Sequence, residues 1–155
     1  MVEIDAFLAP DRILLGLRCA SKRQLFQDLS TAAAGSTGLD QAAILAALNQ
    51  REKLGTTGIG EGIAIPHARV RDLATLTGLF ARLAAPVDYD ALDDAPVDLV
   101  FLLLAPEDAN NTQLKALARI ARLLRDPETT ARLRTEQDLG QVHDLLTGRR
   151  PPDHA

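Results

Sequence analysis

The sequence of 155 residues contains one cysteine, Cys19, and no tryptophan. A lone thiol excludes an internal disulfide and any metal site built from clustered cysteines. Aromatic residues make up only 3% of the chain, so the core must be built from leucine, isoleucine, valine and alanine. The fold is therefore expected to depend on aliphatic packing, with Cys19 as a small buried or half-buried residue.

Long apolar runs and basic segments are also missing. No apolar segment reaches the ~18 residues of a membrane span, and the start, MVEIDAFLAPDR, lacks the basic and then apolar pattern of a signal peptide. The net charge is -4, and no lysine- or arginine-rich tail provides a surface for nucleic acid. These absences predict a cytoplasmic protein with no membrane span and no nucleic-acid partner.

The residues that are present fit an ordinary globular protein. Apolar residues make up 46% and charged residues 25% of the chain, and the length suits one domain. Period-two and continuous apolar patterns predict strands at 12–18, 75–83 and 97–104, with Pro86 and the acidic stretch 88–96 in turns. Because helical patterns are interspersed with these strands, we predict a layered α/β domain.

Capping residues and glycines mark two helices in the N-terminal half. Ser21 and Gln24 have the spacing of a capping box, and the helix that they open is predicted to end at Gly35. A second helix is predicted from Asp40 to about Lys53, just before a glycine.

The C-terminal half carries further helical patterns. Asn110 or Asn111 is predicted to cap a helix whose buried face is formed by Leu114, Leu117, Ala118, Ala121 and Leu124. Asp126-Pro127 has the pattern of a cap followed by proline at the first helical position. The last helix is predicted to end at Gly148, because glycine is the preferred residue just past a helix.

The segment LGTTGIGEGIAIPHARV, residues 54–70, has a glycine content that a simple connection does not need. Gly58 and Gly60 permit positive φ and a close backbone approach, and Pro66 stiffens the chain just before His67. Backbone N–H groups that converge in such a loop favour an anion, particularly phosphate. The loop does not match a nucleotide site, because no GK[ST] follows it and its glycine spacing is not G-x-G-x-x-G.

His67 is the candidate nucleophile in this segment. A neutral imidazole is nucleophilic near pH 7, and one ring nitrogen can attack phosphorus while the other donates to a backbone carbonyl. Arg51 is the candidate cation, since its planar fork can bind phosphate oxygens. The competing interpretation is structural: His67 would only pack after the proline, and Arg51 and Lys53 would complement the dipole of a helix end.

Other chemistry is poorly supported. His143 is predicted at the exposed edge of the last helix, and His154 lies in the tail. The aspartates of 88–94 lack the spacing of an EF-hand and fit a solvated turn. No G-x-S-x-G elbow is present, and metal hydrolysis would need more ligands than one histidine and scattered aspartates. We therefore predict no metal and no cofactor.

Two segments resemble a known family. REKLGTTGIGEGIAIPHARV (51–70) is similar to the active-site segment of the EIIA domain of the bacterial phosphotransferase system, fructose/mannitol type, to which the nitrogen-regulatory EIIA proteins belong. APVDYDALDDAPVDLVFLLLAPEDANNTQLKALARIARLLRD (85–126) resembles the second half of that domain. The resemblance covers about residues 5–147. It implies a mixed central β-sheet flanked by helices, which we assign to 1–147. The remaining residues, 148–155, are predicted to form a flexible tail.

The resemblance also implies roles for individual residues. His67 would accept a phosphoryl group from an HPr-like histidine phosphocarrier, and Arg51 matches the family arginine beside the phosphohistidine. The phosphate environment would be formed by Thr57, Gly58, Gly60 and Gln113.

Gln113 departs from the family pattern, because many relatives carry a second histidine at this position. A glutamine can donate a hydrogen bond to a phosphoryl oxygen but supplies no positive charge. The hypothesis is that phosphorylation at His67 survives while its rate or the onward transfer is altered.

Three functions stay open at this point. A stand-alone regulatory phosphocarrier of the nitrogen type is the leading hypothesis, in which phosphate on His67 alters the choice of regulatory target proteins. A sugar-transport EIIA would instead pass the phosphoryl group to a separate EIIB. The third function is a binding module that is never phosphorylated. The sequence leaves the oligomeric state open.

Overall fold

The computed structural model describes residues 3–109 and 111–148. The strands are β1 (Ile13–Leu17), β2 (Gly58–Gly60), β3 (Ile63–Ala64), β4 (His67–Val70), β5 (Thr77–Val87) and β6 (Val97–Pro106). The helices are α1 (Lys22–Thr37), α2 (Gln41–Lys53), α3 (Asn111–Leu124), α4 (Pro127–Thr135) and α5 (Leu139–Thr147), and two short 3₁₀ turns (Ile4–Ala6 and Pro10–Arg12) precede β1.

These strands form one mixed sheet in the order β1-β5-β6-β3-β2, with β4 also paired to β6. β6 runs antiparallel to β5 and parallel to β3 and β4, which follow one another along the same edge of β6. The nearly continuous apolar run of β6 agrees with this central position, since both of its faces are covered.

Two helical layers cover the sheet. On one face, Val100, Leu102 and Leu104 of β6 pack in a cluster with α1 and α2. On the other face, Leu99 and Phe101 pack in a cluster with α3, α4 and α5. This alternation follows from the two-residue period of a strand, and it confirms the prediction of a mixed central sheet flanked by helices. Among the described residues, no helix combines the length and apolarity that crossing a membrane requires.

Most predicted helix ends are confirmed, since they depend on local signals. The Ser21 hydroxyl accepts from the Gln24 amide at 3.1 Å, and α2 starts after Asp40 as predicted. α4 has Asp126 as its N-cap and proline at its first position. α5 ends before Gly148, which has a φ of 77°. Cys19 is half-buried, and burial raises the pKa of its thiol to about 11.

Two boundaries differ from the prediction. α1 continues past Gly35 to Thr37, because the left-handed cap is Gly38, with φ 76° and its N–H bonded to the Ala34 carbonyl at 2.8 Å. Pro86 lies in β5 rather than in a turn. The register of β5 against β6 shifts before Val87, and such an irregularity tolerates a residue without an N–H.

The predicted face of α3 is confirmed only in part, because Leu124 is buried and Leu117 and Ala121 pack half-buried against the core, but Ala118 is exposed. The buried residues of α3 are Gln113, Ala116, Ile120 and Leu124, whereas Leu114 is 65% exposed. The buried stripe is thus turned by about one residue from the predicted one. Asn110, the other candidate cap, and residues 149–155, which include His154 and most of the predicted tail, lie outside the described residues.

His143 is buried, not at an exposed edge. Its Nε2 lies 2.8 Å from the carbonyl oxygen of Leu8, because the N-terminal 3₁₀ segment packs against α5. The contact joins residues 135 positions apart, and no local pattern indicates it.

Candidate functional site

His67 is the first residue of β4, where the chain leaves the buried Ile65-Pro66 pair and rejoins the edge of β6. It pairs with Leu103, whose N–H donates to the Pro66 carbonyl at 3.0 Å. Along β4 the side chains alternate: His67 and Arg69 are accessible, while Ala68 is buried against the core. The strand therefore presents His67 and Arg69 on the same side.

Both ring nitrogens of His67 have a defined partner. Nδ1 lies 2.8 Å from the Ile65 carbonyl oxygen, and Nε2 lies 3.2 Å from Nε of Arg51. A carbonyl can only accept and a guanidinium can only donate. Nδ1 therefore carries the hydrogen, and Nε2 presents its lone pair.

The surroundings of His67 favour its neutral form. Burial lowers the pKa of His67 and the charge of Arg51 lowers it further, while the Ile65 carbonyl and the charge of Glu52 raise it. The net pKa lies below the ordinary 6.5, so the imidazole is uncharged at pH 7. A neutral imidazole, with one ring nitrogen unprotonated, is the nucleophilic state.

Arg51 is placed by the last turn of α2 and by the loop that follows. Its Nη1 donates to the Gly55 carbonyl at 2.9 Å. Gly55 has a φ of 149°, which side-chain-bearing residues rarely adopt. The glycine after α2 thus turns a carbonyl back onto the guanidinium and holds Arg51 against His67.

A polar network around Glu52 supports this loop. The Glu52 carboxylate accepts from Lys22 at 2.8 Å, from the Thr57 amide at 2.9 Å and from the Thr57 hydroxyl at 2.7 Å. Burial opposes ionisation, but the hydrogen bonds from Lys22 and Thr57 outweigh it and lower the pKa of Glu52. Because the Thr57 hydroxyl gives its hydrogen to Glu52, the buried Tyr89 hydroxyl, 2.7 Å away, must donate to it.

Thr57 therefore has a supporting place in the site. Its side chain is buried and bonded to Glu52 and Tyr89. Its carbonyl accepts from the Ile65 amide at 3.0 Å, and Ile65 in turn accepts from His67. Thr57 thus connects the Glu52 network to the backbone that orients the imidazole.

Gly58 is required by a close approach rather than by a positive φ. A Cβ at Gly58 would lie 2.8 Å from Cβ of Ala91 and 2.8 Å from Cδ1 of Tyr89. The loop at 88–94 therefore packs directly on the glycine backbone, and the Leu92 amide donates to the Gly58 carbonyl at 3.1 Å.

Gly60 lies at a different place from His67. It pairs with Ile63, which pairs with Leu99, whereas His67 pairs with Leu103. Four residues along β6 correspond to about 13 Å. Next to Gly60, the Glu61 amide donates to the Asp93 carboxylate at 2.8 Å. The backbone next to Gly60 thus binds the Asp93 carboxylate of the same chain. The structure does not bring Gly60 to the His67 imidazole.

Gln113 does reach the site, together with an arginine that the sequence did not single out. Arg69 Nε donates to the Gln113 side-chain oxygen at 2.9 Å, and Arg69 Nη1 lies 3.4 Å from the Glu107 carbonyl. The signal for Arg69 was available: a strand after Pro66 places residues 67 and 69 on one side.

These groups line one concave surface between α2 and α3, which encloses a volume of about 480 Å³. Its lining residues are Ala47, Gln50, Arg51, Leu54, His67, Ala68, Arg69, Gln113, Leu114 and Leu117. Leu54 and Leu114 are 85% and 65% exposed, so apolar side chains adjoin the contact between Arg51 and His67. Within the described residues, no group of three or more His, Cys, Asp or Glu side chains is arranged to hold a metal ion.

Comparison with known families identifies the family of the chain. Residues 6–148 match the family described as phosphoenolpyruvate-dependent sugar phosphotransferase system, EIIA 2. The chain belongs to this EIIA family. The match covers most of the chain and confirms the resemblance that the glycine-histidine segment indicated.

Relatives of this EIIA chain bear nitrogen-regulatory names. It is 50% identical over 145 residues to the nitrogen regulatory protein of Bradyrhizobium diazoefficiens, which covers 94% of this chain and 95% of the relative. It is 38% identical to the nitrogen regulatory protein of Escherichia coli strain K12, covering 84% and 81%.

Solved structures agree with this grouping. The nitrogen regulatory protein IIA-Ntr of Neisseria meningitidis has a TM-score of 0.89 and 35% identity, covering 93% of this chain and 99% of its own. The mannitol IIA of Escherichia coli has a TM-score of 0.76 at 23% identity, covering 89% and 97%, and this likeness concerns the fold alone.

Proposed function

We propose that this EIIA-family chain carries a phosphoryl group on Nε2 of His67, accepts it from an HPr-like histidine phosphocarrier in the cytoplasm, and acts as a nitrogen-type regulatory protein. The observation that carries the proposal is the orientation of His67. Its Nδ1–H is anchored on the Ile65 carbonyl at 2.8 Å, which leaves the Nε2 lone pair beside Arg51.

In the proposed step, Nε2 attacks the phosphorus of the donor's phosphohistidine. The new N–P bond forms as the donor's N–P bond breaks, and the electron pair returns to the donor imidazole. The proton on Nδ1 of His67 remains hydrogen-bonded to Ile65. Phosphoryl transfer needs mainly positioning and charge neutralisation, and Arg51 supplies a cation in contact with the accepting nitrogen.

The concave surface also suits a protein donor. Exposed Leu54 and Leu114 adjoin the charged centre, and apolar groups next to a polar centre are typical of a contact surface for another protein. The donor's phosphohistidine would approach over His67 while apolar side chains of the donor cover the two leucines.

The nitrogen-type role is favoured by relatives that span most of this chain and carry that name. A sugar-transport role is the second candidate, because the chain is 34% identical to part of the fructose-specific EIIABC component of Bacillus subtilis, of which it spans 23%. In that role EIIB would receive the phosphoryl group.

Intact mass spectrometry tests the proposal. The protein is mixed with phosphoenolpyruvate, Enzyme I and HPr, and we expect one acid-labile phosphoryl group. His67→Ala should take up none, and Arg51→Gln should be labelled more slowly. Wild-type protein without label, or equal label on His67→Ala, would contradict the proposal. Rapid loss of label to an added EIIB would favour sugar transport over regulation.

A further inference from the structure

Two arginines line the concave surface together with His67. Arg51 contacts Nε2 of the imidazole directly, and Arg69 lies two residues after His67 on the same side of β4. Two residues of a strand span about 7 Å, a distance that the long arginine side chain easily bridges. Both arginines therefore lie on the same concave surface as the imidazole.

Neither arginine is neutralised by a carboxylate of the described chain. Arg51 bonds to His67 and to the Gly55 carbonyl, and Arg69 bonds to the Gln113 amide oxygen and the Glu107 carbonyl. In contrast, Arg134 forms an ion pair with Asp98 at 2.9 Å, and Lys22 forms one with Glu52 at 2.8 Å. Both guanidinium groups thus bond only to neutral acceptors, and their positive charges are not compensated. Such a pair of charges next to His67 favours the binding of an anion.

Arg69 is also held in a defined orientation. Gln113 is 7% exposed and therefore fixed by its surroundings, and its side-chain oxygen receives the Arg69 Nε–H at 2.9 Å. The two contacts of Arg69 use Nε and Nη1, and in the described part of the chain no acceptor is bonded to Nη2. A guanidinium that is already oriented loses less entropy when it binds phosphate oxygens.

We infer that Arg69 is a second phosphoryl-binding cation of this site and that Gln113 is the residue that positions it. The inference rests on the proposed function. Arg51 and Arg69 bind oxygens of the phosphoryl group from two directions, and Gln113 contributes by aiming Arg69 rather than by carrying charge itself. The glutamine at position 113 is then compatible with efficient phosphorylation, because Arg69 on β4 supplies the positive charge.

Binding of inorganic phosphate to the unphosphorylated protein tests Arg69 without any donor. The probe is the phosphate-induced shift of the His67 imidazole signals in NMR spectra, measured for wild type, Arg69→Gln and the matched control Arg71→Gln. Arg71 is exposed, loses the same charge, and does not line the concave surface. Removing a charge-assisted hydrogen bond should weaken phosphate binding about tenfold in Arg69→Gln, and Arg71→Gln should stay within twofold of wild type.

Phosphotransfer gives the second readout. With phosphorylated HPr as donor, kcat/KM should fall about tenfold or more in Arg69→Gln, and Arg69→Lys should recover part of the loss. Gln113→Leu keeps the charge but releases Arg69, so phosphate binding should weaken less than in Arg69→Gln. Unchanged thermal unfolding in the Arg69 variants would separate this loss from a folding defect.

The outcomes distinguish the two claims. If wild type is phosphorylated on His67 but Arg69→Gln matches Arg71→Gln in both readouts, the inference is overturned and the proposed function stands. If wild type takes no label, the proposed function fails, and the phosphate titration still decides on Arg69. A wild-type His67 that does not respond to phosphate also overturns the inference.

Discussion

The guanidinium of Arg51 donates through Nε to Nε2 of His67 at 3.2 Å, while the opposite ring nitrogen is anchored on Ile65. Arg51 thus contacts the nitrogen proposed to carry phosphate before any phosphate arrives. Once an N–P bond forms, the lone pair is consumed, and the same N–H must turn to a phosphoryl oxygen. The contact therefore fixes the tautomer of His67. It also places the Arg51 cation beside the position that the phosphoryl oxygens would occupy.

The pKa of His67 provides a direct test of this contact. We expect His67 to titrate below the ordinary 6.5, because burial and the charge of Arg51 both lower its pKa. Arg51→Gln removes the nearby charge and should raise that pKa. NMR titration of the ring measures both values, with Lys53→Gln as the control at the same helix end. An unchanged pKa in Arg51→Gln would show that the arginine does not act on the imidazole.

The rate of phosphorylation should depend on the ionisation of His67. Only the neutral ring is nucleophilic, so phosphorylation of wild type should persist as pH falls to 6.5 and decline only below it, through the lowered pKa of His67. The rate should be measured with a small phosphoryl donor such as phosphoramidate, because the histidine of a protein donor would itself titrate in this pH range. A rate that already declines above pH 6.5 would contradict a depressed pKa at His67.

Glu52 should stabilise the fold in a pH-dependent manner. Glu52→Gln replaces the carboxylate that accepts from Lys22 and Thr57, and we expect a loss of about 1–3 kcal/mol in the free energy of unfolding at pH 7. Hydrogen bonding lowers the pKa of Glu52 from 4.5 in the folded state. The stabilisation is therefore present above pH 4.5 and lost as pH falls through the lower, folded-state pKa.

Urea unfolding at pH 7 and at pH 3 measures this difference. The control is Glu107→Gln, since the Glu107 side chain is 62% exposed and should change stability little at either pH. A deficit in Glu52→Gln that is larger at pH 3 than at pH 7 would contradict the assigned sign.

The network continues to Gly58 in the glycine segment, and Gly35 in α1 provides a contrasting glycine. Gly58→Ala places a methyl group 2.8 Å from Cβ and 3.0 Å from Cα of Ala91, and overpacking of this kind costs about 1–3 kcal/mol. Gly35→Ala has nothing within 4 Å of the new Cβ and lies inside α1, so it should stabilise by about 0.5–1 kcal/mol. Thermal unfolding of both variants checks the pair, and equal effects would show that the close approach at Gly58 is unimportant.

Local chemistry explains which features the sequence predicted well. The caps at Ser21 and Asp126 and the helix end at Gly148 depend on neighbouring residues, and these predictions are confirmed. The strand β6 was predictable because a buried central strand is apolar throughout. His67 and Arg51 could be proposed together because an unusual loop joins them directly.

The features that were missed depend on distant contacts. The observed orientation of α3 places Gln113 in its buried stripe, where it accepts a hydrogen bond from Arg69, 44 residues earlier in the chain. The burial of His143 follows from Leu8, at the other end of the sequence. The glycine turn was expected to surround His67, but strand register places Gly60 elsewhere, and register between distant strands cannot be read from glycine spacing.

Position 113 offers the last test, because it separates charge from orientation. Gln113→His introduces the histidine that the family resemblance implies at this position, yet the imidazole must now receive the Arg69 Nε–H that the amide oxygen accepts at 2.9 Å. A neutral ring has only one accepting nitrogen, and a protonated ring has none. We expect phosphorylation at His67 to persist and to slow about fivefold, as loss of one hydrogen bond of about 1 kcal/mol implies. Because protonation removes the acceptor and repels Arg69, the loss should be larger at pH 6 than at pH 8. Stopped-flow or quenched transfer from phosphorylated HPr measures the rate at each pH, and an unchanged rate would show that position 113 does not control the reaction.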